Sequence, residues 1–279
     1  MSYPYPDITL EKANKDYENL RELNVNKYPF NNVGNKATDY YFYKYRVKTK
    51  VGKWSWFSAW NDKAERVKIL KAYRSLYPND DLSKGYNPAN IRGTMSMRYK
   101  SINQFKPSIA KYIYNKYNPK TILDFSAGWG GRMLGAMSLD KNYIGIDSNK
   151  KLKVPYTQLL KNYKTKGDIK MIFNKSENID FSKYKYDMVF TSPPYEFTEK
   201  YEGMKEYDDF YEEFLIPVIT DTYKHLQRGG KFILNIPIDM YNDTVKKILG
   251  PSNKKLILKK GQRTGSGKDY KEYIYIWNK

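Results

Sequence analysis

The chain has 279 residues, long enough for one large α/β domain with a smaller appendage or for two small domains. Its formal net charge of +20 predicts attraction to a polyanion such as nucleic acid, an AT-rich genome's bias towards Lys, Asn, Ile and Tyr being the alternative source of that basicity. Cysteine is absent and His225 is the single histidine, which excludes disulfides and thiolate metal sites and argues against zinc. No apolar run approaches the roughly 20 residues of a membrane span, and the start Met-Ser-Tyr-Pro-Tyr-Pro lacks the regions of a signal peptide, so a soluble intracellular protein is expected.

Residues 1–91 read as a separate basic, aromatic and weakly periodic module, with Tyr40-Tyr41-Phe42-Tyr43-Lys44-Tyr45 and Trp54-Ser55-Trp56-Phe57-Ser58-Ala59-Trp60. Within it, Ala64, Val67, Leu70 and Tyr73 predict a helix from Asp62 to Leu76. The Pro, Asn and Gly bearing stretch from Pro78 to Gly93 reads as a linker. Residues 92–279 then alternate strands with helices, which predicts a doubly wound, mainly parallel sheet covered on both faces. Strands are expected at Thr121–Ser126, Asn142–Asp147, Ile169–Phe173, Tyr186–Thr191 and Lys231–Ile236, and helices at Gly131–Leu139, Asn149–Tyr163 and Tyr207–Leu226. Lys255–Lys260 and Tyr270–Trp277 read as a terminal antiparallel pair around the loop Gly261–Gly267.

The run Ile122-Leu123-Asp124-Phe125-Ser126-Ala127-Gly128-Trp129-Gly130-Gly131-Arg132 is an apolar strand entering a glycine-rich turn that opens a helix. Glycines there allow close approach of a ligand at the carboxyl end of a strand, where doubly wound sheets bind theirs. Asp147 ends the next strand about 20 residues on, placed to accept hydrogen bonds from ribose hydroxyls, a helix N-cap being the alternative. A dinucleotide would favour G-x-G-x-x-G and a pyrophosphate at the helix start. The carboxylate of Asp124 repels phosphate there and suits the ammonium and sulfonium of S-adenosylmethionine.

Asp187-Met188-Val189-Phe190-Thr191 is a buried strand stopped by two prolines, which sets Ser192-Pro193-Pro194-Tyr195 on the same carboxyl edge. This tetrad resembles the catalytic motif of the amino-methyltransferases, which implies an exocyclic amine of a base as acceptor, a poor nucleophile because its lone pair is delocalised into the ring. By that resemblance two acceptors on its N–H groups, Ser192 Oγ and the Pro193 carbonyl, would localise the pair, and Tyr195 would stack on a base flipped out of its duplex.

Over roughly residues 92–278 the sequence resembles the S-adenosylmethionine-dependent amino-methyltransferases, whose catalytic motif reads Asp, Asn or Ser followed by Pro-Pro and an aromatic. The resemblance implies a Rossmann-like class I methyltransferase sheet with a C-terminal antiparallel pair. It implies catalytic roles for Ser192, Pro193, Pro194 and Tyr195, and cofactor contacts from Asp124, Ser126, Ala127, Gly128, Trp129, Gly130 and Asp147. Phe105, in Phe105-Lys106-Pro107-Ser108, would pack on the methionine portion of the cofactor, a plain helix start being the alternative. Ser176, with Glu177 beside it, aligns with the acidic residue that meets the adenine amino group. Ser126 stands where the family carries phenylalanine, so Trp129 would supply that packing. Asn235-Ile236-Pro237 lines the base pocket or simply ends a strand.

DNA is expected over RNA as partner, and cytosine N4 over adenine N6 as acceptor. An RNA base, a protein glutamine amide, or a noncatalytic nucleic-acid-binding role are the alternatives. With about 44 residues between Asp147 and Thr191, recognition falls to the first module, the loop after Tyr195, or Gly261–Lys268. Arg46, Lys48, Lys50 and Lys53 beside Trp54, Trp56 and Trp60 suit phosphate contact and base stacking, a core made of those tryptophans being the alternative.

Overall fold

The computed structural model describes residues 1–29, 31–99, 102–194, 209–258 and 272–279. Seven strands, β1 (Thr121–Asp124), β2 (Asn142–Ile146), β3 (Ile169–Ile172), β4 (Met188–Thr191), β5 (Lys231–Pro237), β6 (Lys254–Ile257) and β7 (Glu272–Asn278), form one sheet in the order β3-β2-β1-β4-β5-β7-β6. β1 to β5 are parallel, and β7 runs antiparallel to both β5 and β6. This is the doubly wound, mainly parallel sheet that the alternation of strands and helices predicts, with the antiparallel pair expected at its C-terminal end. Order reverses between β1 and β4, so the loops after these two strands diverge from adjacent points on one edge.

Period-two alternation assigns each strand's side chains to two cores. Ile122, Met188, Phe190, Ile233, Ile274 and Ile276 join one, and Leu123, Val189, Phe232, Leu234, Tyr273, Tyr275 and Trp277 the other. The first is closed by α6 (Pro107–Tyr117), α7 (Gly131–Met137) and α8 (Lys153–Asn162), the second by α9 (Ile216–His225) and the turn before it. At the amino edge the Asp187 carboxylate accepts from the N–H groups of Lys120 and Thr121, 2.8 Å each at the nearest oxygen, which pins β4 to β1.

Among the described residues the first 98 hold five α-helices: α1 (Leu10–Glu22), α2 (Asn35–Arg46), α3 (Trp56–Asn61), α4 (Lys63–Leu76) and α5 (Pro88–Arg98). The division expected at residue 91 runs through this arrangement. Tyr17 and Leu20 of α1 and Ala37, Tyr41 and Phe42 of α2 share the core of the sheet, while Val47, Trp60, Ile69, Tyr73, Ile91 and Met95 make a smaller core of their own. The linker expected at Pro78–Gly93 contains the start of α5, because Asn87 caps the N–H groups of Ala89 and Asn90 and Pro88 takes the first helical position. α4 begins where expected, with the Asp62 side chain accepting from Glu65 N.

Lys111 ties α6 to α1. Its side chain is buried, and Nζ donates to the carbonyls of Leu20, Arg21 and Leu23 at 2.7, 2.7 and 2.9 Å. These are carbonyls at the C-terminal end of α1, which lack helical partners of their own. Burial, with a smaller effect from Arg21, pushes the Lys111 ammonium down to about 8.

Candidate active site

Continuing the register of Leu123 opposite Val189 sets Phe125 level with Thr191, so the loop beginning at Ser126 and the segment beginning at Ser192 leave the sheet side by side. The glycine loop is held by its own backbone and by the next strand. Ala127 N donates to Ile146 O at 2.9 Å, Gly128 N to Asp147 Oδ2 at 2.7 Å, and Asn149 N to Asp147 Oδ1 at 2.9 Å. Asp147 thus sits at the tip of β2, half-buried, with one N–H on each carboxylate oxygen. Burial pushes its carboxyl up to about 6 against the opposing pull of those two N–H donors.

The glycines of the loop divide by role. Gly128, at φ 63°, faces open space, the nearest atom to a Cβ built there being Ser126 O at 3.8 Å. A Cβ on Gly130 would stand 2.9 Å from Phe42, and one on Gly131 1.9 Å from Phe105 O. These two glycines admit the protein's own chain, and only Gly128 leaves room for a ligand. Phe42 lies edge-on to Tyr156 at 4.8 Å, and Tyr156 donates to Gly128 O at 2.9 Å, so α2 and α8 buttress the loop.

Asp124 differs from its expected role as a free carboxylate facing the ligand. It is fully buried and paired with Arg132, whose Nε donates to Oδ2 at 2.7 Å and whose Nη2 donates to Oδ1 at 3.2 Å. Tyr143 also donates to Oδ2 at 2.5 Å, and Ser126 N to Oδ1 at 3.2 Å. Arg132 Nη2 donates further to the Ser126 carbonyl. Asp124 is therefore a neutralised anchor beneath the loop, and burial with its charge pushes the Tyr143 hydroxyl well up, keeping that proton in place. Reading strand tips alone misses Arg132, although a lone arginine in the apolar run Met133, Leu134, Ala136, Met137 marks it.

Phe105 packs edge-on against Phe190 of β4 at 5.2 Å, beside the loop at Gly131, and α6 starts two residues on at Pro107. Ser176 is buried and its hydroxyl donates to Phe125 O at 2.6 Å, which makes it a tie to the end of β1, with Glu177 half-buried next to it. Trp129 is buried in the same core as Phe42 and Tyr156. Ser192 and Pro194 are half-buried and Pro193 is buried, while Tyr195 and the loop Gly261–Lys268 lie outside the described residues. Asn235 is buried and donates to Tyr273 O at 3.1 Å, a tie between β5 and β7.

In the first module, Trp60 is buried with its indole N–H donating to Ser2 O at 2.8 Å, and Trp54 and Trp56 pack on the same small core. Arg46 pairs with Asp39 and donates to Ile102 O. Lys48 and Lys53 remain exposed over the rings of Phe57 and Trp54, at 5.0 and 5.2 Å. Among the described residues no cluster of acidic or histidine side chains could hold a metal ion, and no helix is long and apolar enough to cross a membrane.

No protein-family model matches the chain, and no curated protein matches it. Among solved structures it is similar to TrmN from Thermus thermophilus, at 14% identity over 62% of this chain and 48% of that one, with a TM-score of 0.45. TehB from Haemophilus influenzae is similar at 14% identity over 67% and 66% of the two chains, TM-score 0.46. The N-methyltransferase NodS from Bradyrhizobium japonicum is similar at 14% identity over 57% and 84%, TM-score 0.40. The match thus spans about half of TrmN's length. What the site does is read from its own geometry.

Proposed function

We propose that the protein transfers a methyl group from S-adenosylmethionine to an exocyclic amino nitrogen of a nucleobase in DNA, with cytosine N4 preferred to adenine N6. The observation that carries this reading is the adjacency of Gly128 and Asp147 on one side of the β1/β4 switch point and Ser192-Pro193-Pro194 on the other. The preference for cytosine rests on serine at the first motif position, by resemblance, and the preference for DNA on resemblance together with the net charge of +20.

The residues present fit the cofactor. Gly128 offers uncovered backbone, and each oxygen of Asp147 carries one N–H, which leaves a lone pair apiece for the two ribose hydroxyls. The cofactor, when bound, supplies an electrophilic methyl group on a sulfonium. Ser192 Oγ and the Pro193 carbonyl accept from the two amino N–H groups of the base and turn its nitrogen lone pair towards that methyl. The two prolines fix the direction of the carbonyl, and Tyr195 stacks on the base. His225 ends α9, beside the start of β4 at the amino edge of the sheet, the edge opposite Ser192, and takes no part in this reading.

Incubation with labelled S-adenosylmethionine and duplex DNA, RNA or a glutamine-bearing peptide tests the proposal. Label in DNA is the expected result. Label confined to RNA or peptide moves the acceptor, and no label with intact cofactor binding supports a noncatalytic role.

A further inference from the structure

Arg132 is buried to within 4% of full enclosure and is the one charged side chain of α7. Its Nε and Nη2 are committed to Asp124 and to the Ser126 carbonyl. Nη1 makes no hydrogen bond with the described residues, and it is not one of the buried polar atoms sealed without a partner, so the residual exposure of the side chain leaves this nitrogen reachable.

The guanidinium lies at the switch point. Asp124 is the last residue of β1, the Phe105 ring covers Arg132 Cζ at 5.6 Å, and Phe105 leans on Phe190 of β4. A ligand with its ribose on Asp147, at the β2 side of the loop, and its reactive end towards Ser192, at the β4 side, crosses this place. A pair formed only to fill a core would gain little over apolar residues of the same volume, since desolvation offsets the attraction of buried ions. An arginine with one terminal nitrogen left over is suited to a second oxygen anion in the plane of its fork.

We infer that Arg132 Nη1 holds the carboxylate of the methionyl arm of S-adenosylmethionine, while Asp124 keeps the guanidinium oriented from below. This rests on the proposed cofactor. It reverses the polarity expected from Asp124 alone: the group presented to the arm is the cation of the pair, and the recognised end of the ligand is its carboxylate.

Calorimetry on the full chain tests this with three probes: S-adenosylmethionine, its decarboxylated form, and 5′-methylthioadenosine, which lacks the arm. The wild type is expected to bind the decarboxylated form about 10- to 100-fold more weakly than S-adenosylmethionine, the worth of a charge-assisted hydrogen bond. Arg132→Lys keeps a charge beside Asp124 and is expected to lose that preference while binding 5′-methylthioadenosine as the wild type does. If Arg132→Lys fails to fold, the paired change Asp124→Leu with Arg132→Met removes both ions together and is expected to lose the same preference. Equal binding of the two arm-bearing ligands by the wild type, or a preference that survives in the folded variant, overturns the role of Arg132 and leaves the cofactor reading standing. Failure of all three probes to bind the wild type overturns both.

Discussion

The Asp147 carboxylate accepts a 2.7 Å hydrogen bond from the main-chain N–H of Gly128, tying the tip of β2 to the loop that leaves β1. One side chain thereby shapes the loop and presents its remaining lone pairs at the edge of the sheet. Asp147→Ala is expected to weaken S-adenosylmethionine binding by about 1–3 kcal/mol, the cost of leaving a buried partner unsatisfied. Unchanged affinity in calorimetry would remove Asp147 from the site.

The same residue sets a pH dependence. Its folded pKa of about 6 lies above the ordinary 3.8, so its contribution to the stability of the free protein is full below pH 3.8 and lost as pH rises through about 6. Ribose hydroxyls donate to the ionised form, so cofactor affinity is expected to fall as pH drops below about 6. Binding near pH 6 should release a proton, measured as a heat that varies with the ionisation enthalpy of the buffer.

The glycines of the loop are expected to fail in different ways. Gly131→Ala drives a methyl group into the Phe105 carbonyl, at 1.9 Å, and should lower the melting temperature. Overpacking typically costs about 1–3 kcal/mol, and each kcal/mol shifts the melting point by about 2–4 °C in a large domain. Gly128→Ala meets open space, so its expected cost to the fold is the left-handed backbone alone, about 1–2 kcal/mol, with a larger loss in cofactor affinity. Thermal melts and calorimetry on both variants separate the two roles.

Lys111→Met leaves the carbonyls of Leu20, Arg21 and Leu23 without their donor and is expected to destabilise the fold by about 1–3 kcal/mol. Because burial lowers the ammonium from 10.5 to about 8, the folded chain holds fewer protons than the unfolded chain between those values. Stability from this group therefore rises with pH across that window, and the rise should be missing in denaturant titrations of the variant.

Ser192→Ala removes one of the two acceptors proposed for the amino group. Its turnover is expected to fall about 100-fold, comparable to deleting one oriented hydrogen bond in other active sites, with cofactor affinity unchanged. Tyr195→Ala should weaken engagement of the base and spare the cofactor. A tenfold loss of cofactor binding would contradict the stacking role.

β1, β2, β4 and β5 were legible because each is a short, largely apolar run bounded by Gly, Pro or Asp, and the resulting order put the glycine loop and Ser192 on one edge. The fate of Asp124 was not, because a strand-tip carboxylate reads the same whether it faces a ligand or a buried arginine eight residues on. Nor was the place of α2. Its aromatics alternate too densely to reveal a face, yet Tyr41 and Phe42 point to the sheet while Tyr40 and Lys44 are exposed. Asn87-Pro88 carried a helix start that its flanking turn residues masked.

The central claim is methyl transfer to an exocyclic amino nitrogen. Mass spectrometry of nucleosides from unmethylated DNA and RNA, incubated with the protein and S-adenosylmethionine, tests it most directly. N4-methylcytosine in the DNA is the predicted product, and N6-methyladenine would keep the chemistry while changing the base. Methylation at a ring carbon such as cytosine C5, or at a ribose oxygen, would contradict it.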